Sequence, residues 1–255
     1  MILYFSATGN SLRVAQLLSR ELGGDRLVDL RPCYQGKALP LQVEPGERIG
    51  LVFPVHSWGM PKGLEKIVAS FQIEGYDQLS NHAYMVCTCG DDAGLTARQW
   101  QHALAKAGMR GDAAYSVFMP NTYVLLPGFD TDRPEVEAKK LAEVPGAVAE
   151  IAKLIKSGKT GDFTHHGSLS WLKSKVIYPL FLACMTDRPF HASPKCVACG
   201  LCAAVCPTAN ISLSSDKHPR WTHRNCINCL ACYHRCPQSA INYAKATTHK
   251  STYHL

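Results

Sequence analysis

Short apolar runs alternate along the first 160 residues with stretches whose apolar positions recur every three or four residues. That alternation is the pattern of a parallel sheet with helical crossovers, an α/β fold. Ile2–Phe5, Arg26–Leu30, Ile49–Val55, Ala83–Thr88 and Ala113–Met119 read as five strands. Leu12, Ala15, Leu18 and Leu22 share one face of a helix over residues 11–22. Residues 62–71 and 95–107 read as further helices, the latter closed by Gly108. A last helix carries Leu141, Val144, Val148, Ile151 and Ile155, with Pro145 expected to kink it. Only 18 residues separate the second and third strands, and Pro32, Gly36, Pro40, Pro45 and Gly46 are among them. A reduced or irregular connection is expected there.

After the last helix the pattern changes. Gly158, Gly161, Gly167 and Ser168 mark a linker over residues 158–168. Trp171–Met185 reads as a connecting helix, bent or broken near Pro179. Residues 1–160 are expected to form one domain, 161–186 a linker and connecting helix, and 187–246 a small second domain. Residues 247–255 are expected to be a fraying polar tail.

The small domain repeats itself at a period of 30 residues. Cys196, Cys199, Cys202, Cys206 and Pro207 are followed by Cys226, Cys229, Cys232, Cys236 and Pro237, both spaced C-x2-C-x2-C-x3-C-P. A tight C-x2-C-x2-C loop wraps three thiolates around one cubane, and the fourth cysteine points away to the other cluster. Two [4Fe–4S] clusters are therefore expected. Cys196, Cys199, Cys202 and Cys236 would hold one, and Cys226, Cys229, Cys232 and Cys206 the second. Structural zinc explains neither the third cysteine nor the C-P ending. This segment resembles the bacterial-type two-cluster ferredoxins, which implies electron transfer.

The net charge of +7 raises nucleic-acid binding. Two oxidised clusters at roughly −2 each, with a flavin phosphate, would leave the loaded chain near +1. Lys and Arg also form no run, so no nucleic-acid partner is expected. No stretch reaches the roughly 18–20 apolar residues of a membrane span, and the N-terminus lacks the layout of a signal peptide. A cytoplasmic location is expected. Twelve cysteines then point to redox or metal chemistry.

Ser6, Ala7, Thr8, Gly9, Asn10 and Ser11 lie between the first strand and first helix, where backbone N–H groups, hydroxyls and a helix N-terminus can receive a phosphate. No G-x-G-x-x-G occurs, which removes the dinucleotide fingerprint. Gly158-Lys159-Thr160 ends like a P-loop, but Lys153 stands where that motif needs glycine. The loop resembles the phosphate loop of flavodoxins, with Ser6, Thr8, Gly9, Asn10 and Ser11 at matching positions. That resemblance implies a doubly wound, flavodoxin-like parallel sheet of five strands, a small ferredoxin-like α+β domain behind it, and FMN as cofactor. It implies that Pro54, His56, Ser57, Trp58 and Gly59 lie against the isoalloxazine, with Trp58 stacked on the ring and the Gly59 peptide near flavin N5. Thr88, Cys89, Gly90 and Gly94 would form a second loop, with Cys89 where flavodoxins often place an aromatic. Asn121 and Tyr123 would border the site or lie on the surface.

Cys33, Cys87 and Cys184 read as packing residues. His234 reads as a solvated histidine between cluster ligands, and His56 as a histidine near the flavin. As a whole the chain resembles flavodoxin–ferredoxin fusions, the iron–sulfur flavoproteins. An electron carrier with a redox partner protein is expected. The rivals are an FMN-dependent reductase of a small organic or quinone substrate, and a subunit of a larger reductase. Oligomeric state is not readable from the sequence.

Overall fold

The computed structural model describes residues 1–255. The chain opens with β1 (Ile2–Tyr4), α1 (Asn10–Glu21) and β2 (Leu27–Asp29). A 3-10 turn (Arg31–Gln35) and the two-residue β3 (Leu41–Gln42) fill the short connection, which holds no crossover helix. There follow β4 (Ile49–Pro54), α2 (Leu64–Ala69), β5 (Ile73–Glu74), β6 (Ala83–Cys89), α3 (Thr96–Lys106), β7 (Ala113–Phe118) and α4 (Pro134–Lys156).

The central sheet has six strands where the sequence suggested five. The sixth is β8 (Gly161–Phe163), inside the expected linker. All three of its residues are exposed, so it shows no apolar alternation. It is held by the Gly161 N–H on Asp112 O at 2.9 Å and by Phe163 stacked on Tyr115 at 5.3 Å. Every pairing in the order β2-β1-β4-β6-β7-β8 is parallel. β6 is buried along its whole length, which is why it reads as an unbroken apolar run.

α1 and α4 cover one face of the sheet, burying Val14, Leu18, Val148 and Ile155 against Ile2, Val52 and Tyr84. α2 and α3 cover the other, where Leu64, Val68, Trp100 and Leu104 meet Leu3, Phe53 and Met85. α4 starts at Pro134, seven residues before Leu141, the first position of the expected apolar pattern. Proline at the first turn and Glu135 and Glu137 beside it suit a helix N-terminus. Pro145 is exposed and does not break the helix. Strand order reverses between β1 and β4, so the loops after these strands flank a switch-point crevice.

The connecting segment is α5 (Ser170–Leu172), a π turn (Lys173–Ile177) and α6 (Tyr178–Cys184) in one unbroken run. Pro179 lacks the N–H that an α turn needs, and the wide turn just before it absorbs the mismatch in place of the expected break.

The C-terminal unit contains β9 (Phe190–Ala192), α7 (Leu201–Ala204), β10 (Ile211–Leu213), β11 (Pro219–Trp221), α8 (Ala231–His234) and β12 (Ile241–Tyr243). β9 pairs antiparallel with β12, and β10 with β11. The 30-residue repeat recurs in the backbone: Ala198 and Asn228, Gly200 and Leu230, and Ala209 and Ser239 all have left-handed φ. Phe190, Ile211, Trp221 and Ile241 form its core, and Val124 and Leu125 from the loop after β7 insert into it. The tail is not frayed. Tyr253 is 6% exposed and Thr247 2%, and the last residues pack on the loop after β1.

Candidate functional site

The two halves of the repeat fold around two hollows, each of about 340 Å³. The first is lined by Cys196, Cys199, Cys202 and Cys236, and the second by Cys206, Cys226, Cys229 and Cys232. Each set joins three cysteines of one motif with the fourth of the other. The fourth cysteine is turned by its own local bonds: the Asn210 N–H reaches Cys206 Sγ and the Ala240 N–H reaches Cys236 Sγ, each at 3.3 Å. No group of three or more ligating side chains converges as a single ion would need. A cubane spreads its four thiolates more widely than a zinc tetrahedron does.

The hollows differ in setting. Cys199 is exposed, and Val197 and Leu201 beside it are 61% and 38% exposed. The four cysteines of the second hollow are all part-buried. Burial pushes the Cys229 thiol up to about 12 and Cys226 up to about 11, and raises Cys232 well above its ordinary value. Such thiols stay protonated unless a strong cationic centre replaces the proton.

A third space, a polar-walled cleft of about 540 Å³, opens at the switch point. Ser6, Thr8, Asn10, Ser11, Pro54, His56, Thr88, Cys89 and Gly90 line it, as the sequence suggested. Asn121 and Tyr123 line it too. The backbone N–H groups of Thr8, Gly9, Asn10 and Ser11 make no hydrogen bond within the chain. Ser6 Oγ is buried with no partner. A buried hydroxyl and a run of amides left open at a helix N-terminus fit an anionic group, so the residues present suit the phosphate of FMN.

Other expected residues are engaged elsewhere. Ser57 and Trp58 both have left-handed φ and form the tip of a tight hairpin in which His56 and Gly59 exchange backbone hydrogen bonds at 2.9 and 3.2 Å. The connecting segment grips this hairpin. Ser174 Oγ donates to Trp58 O at 2.8 Å, and the Tyr178 hydroxyl donates to Met60 O at 2.7 Å. Gly59 lies so close to the Tyr178 ring that a Cβ there would overlap Tyr178 Cε2. The Trp58 ring lies under the Lys173 ammonium at 5.2 Å, and Gly94 packs against Trp58. Trp58, Gly59 and Gly94 therefore pack on the connecting segment, and neither they nor Ser57 line the cleft. Gly9 is the αL residue before α1 and borders the cleft from behind.

Sequence reasoning missed Met119, Pro120, Thr122 and Cys229, which complete the cleft wall. The first three follow β7 at the carboxyl edge of the sheet, a placement that the strand pattern already contained. Cys229 carried no such signal, because it comes from 106 or more residues further along and from the other unit.

Two histidines are set by burial. His56 lines the cleft with its pKa pushed down to about 4, so it is neutral at pH 7. His234 is not solvated as expected: it is 1% exposed, and burial pushes its pKa down to about 4. Its Nε2 lies 2.7 Å from Thr122 O, and its Nδ1 accepts the Tyr253 N–H at 3.1 Å. Those partners fix the neutral Nε2–H tautomer and tie α8 to the cleft wall. Asn121 is held by Asp132, which takes its N–H at 3.1 Å and its Nδ2 at 2.9 Å. Burial works against the charge on Asp132, but hydrogen bonds from Lys140 and Asn121 outweigh it and keep this carboxyl below its ordinary range.

No helix is long and apolar enough to cross a membrane. No curated protein matches the chain. A solved structure described as the Trp repressor binding protein from Bacillus subtilis aligns with 59% of this chain and 95% of its own length, at 13% identity and a TM-score of 0.37. A likeness of that size carries no argument. A family model described as a 4Fe-4S dicluster domain matches residues 188–249. That match, with the eight cysteines around the two hollows, makes the C-terminal unit an iron–sulfur, ferredoxin-like domain and supports a role in electron transfer.

Proposed function

We propose that this protein is an iron–sulfur flavoprotein that relays electrons between FMN, two [4Fe–4S] clusters and an external redox partner. In this reading residues 1–160 form a flavodoxin-like domain, 161–186 connect, and 187–246 hold the clusters. The observation that carries it is Cys229, which lines both the second hollow and the cleft. A cofactor in the cleft and a cluster in that hollow would be neighbours across one side chain. FMN accepts or gives two electrons and each cluster one, and that chemistry belongs to the cofactors.

The chain's own residues bind, orient and exclude water. Ser6, Thr8 and the open amides before α1 receive the phosphate. The neutral His56 and Cys89 border the cleft without adding charge. Cys206, Cys226, Cys229 and Cys232 would hold the inner cluster beside the cleft. Cys196, Cys199, Cys202 and Cys236 hold the outer one, where exposed Val197 and Leu201 offer an apolar rim to a partner protein. The order flavin, inner cluster, outer cluster, partner is supported by Cys229, shared between the cleft and the second hollow, and by the exposed Cys199 at the first.

The test is the iron, acid-labile sulfide and flavin content of protein purified without oxygen. About eight iron, eight sulfide and one FMN per chain are expected. Eight iron with no flavin, even after incubation with excess FMN, refutes the flavin half. About one or two metal ions and no sulfide refutes the clusters.

A further inference from the structure

The loop that follows β1 is held from behind by the C-terminal unit. Arg235, next to Cys236, donates through Nε to Ala7 O at 2.9 Å. The backbone N–H of Leu255 donates to Thr8 O at 2.8 Å. Every peptide here is trans, and a trans peptide carries its C=O and N–H on opposite sides. Tying the carbonyls of Ala7 and Thr8 toward the C-terminal unit therefore turns the N–H groups of Thr8 and Gly9 the other way. Neither has a partner within the chain. Gly9 permits this shape with a φ of 110°, and a side chain there would meet Leu255 O at 2.6 Å.

Tyr253 decides where Leu255 falls. It is 6% exposed. Its hydroxyl donates to Asn10 Oδ1 at 2.7 Å, and its N–H donates to His234 Nδ1 at 3.1 Å. Asn10 carries the tie across the cleft, donating through Nδ2 to Pro120 O at 3.0 Å.

We propose that Arg235 and the strap of residues 251–255 are positioning elements that pre-set the anion-binding loop, so that the cluster-bearing unit confers the cleft's affinity for the phosphate of FMN. The proposal rests on the flavin reading above. It makes the phosphate loop of this protein a structure completed by residues of the same chain more than 220 positions away.

The experiment titrates FMN and riboflavin into flavin-depleted full-length protein by fluorescence quenching. It compares wild type, Tyr253→Phe, Arg235→Leu and a chain ending at Lys250, with iron and sulfide measured on each. Tyr253→Phe removes one buried hydrogen bond and is expected to raise the FMN Kd about fivefold, and the truncation about tenfold or more. The riboflavin Kd is expected to change less than about twofold, because riboflavin has no phosphate to use the loop. Iron content stays at the wild-type value, while amide hydrogen exchange of residues 6–12 accelerates in the truncated chain. Equal weakening of both flavins, or FMN binding at wild-type strength in all variants, overturns the proposal. A wild-type chain that takes up no FMN overturns the flavin reading itself and this proposal with it.

Discussion

Gly90 offers a sharp test of how the cleft wall is built. A methyl group on Gly90 would overlap Asn121 Oδ1 and stand 2.5 Å from its Cγ. Asn121 has little freedom to retreat. Its Nδ2 donates to Asp132 Oδ1 at 2.9 Å, and Asp132 is held in turn by Lys140 at 2.7 Å. Gly90→Ala must therefore strain the two loops apart or break the bond to the carboxylate. Overpacking costs about 1–3 kcal/mol, and a hydrogen bond to a charged group contributes about 1.5–3 kcal/mol. The variant is expected to lose about 2 kcal/mol, a fall in Tm of about 4–8 °C for a chain of this size. Flavin binding should weaken with it, because Asn121 lines the cleft. The assay is thermal melting of wild type, Gly90→Ala, Asn121→Ala and the double variant. On the Asn121→Ala background the methyl group has no side chain to meet, so Gly90→Ala should cost less than about 0.5 kcal/mol there. The coupling between the two positions should then exceed about 1 kcal/mol. A Gly90→Ala protein that melts with wild type, or a cost that persists without the Asn121 side chain, refutes the reasoning.

Two further outcomes are expected. Replacing Cys229 or Cys199 with alanine should each lower iron from about eight to about four per chain. Only the Cys229 variant should alter the absorption or emission of a flavin in the cleft, which Cys229 alone of the two lines; identical flavin spectra in both variants would contradict the inner–outer order. The second concerns pH. His56 titrates near 6.5 when unfolded and about 4 when folded, because burial penalises its charged form. The unfolded chain binds the proton first, so this stability is full above pH 6.5 and falls as pH drops toward 4, by about 3 kcal/mol at most. The stability difference between wild type and His56→Asn should change across that window, and a difference independent of pH would exclude the assignment.

Much of the fold was legible because it is local. Apolar runs such as Ile49–Phe53 and Ala83–Cys87 announce buried parallel strands, and the spacing of Val144, Val148, Ile151 and Ile155 announces a helix against them. The exceptions are elements without a pattern. β8 is exposed on all three residues, and the connecting segment accommodates Pro179 with a wider turn, which residue identity alone does not disclose.

The same division holds for the site. The cysteine spacing specified which four sulfurs face each hollow, because three lie within one tight loop and the fourth follows a short turn whose direction the repeat dictates. The loop after β1 was legible as a run of polar residues leading into a helix because the residues that form it are consecutive. What only the tertiary structure decided is every relation between distant segments. Trp58 and Gly59 turned from the cleft because Ser174 and Tyr178 grip their hairpin. His234 became a buried tie because Thr122 and Tyr253 reach its two nitrogens. The tail that reads as a polar overhang became the back wall of the loop after β1. Hydrophobic periodicity records how one segment meets the core, averaged over many side chains. A hydrogen bond between residues 10 and 253 depends on two single atoms, brought within 2.7 Å by everything folded between them.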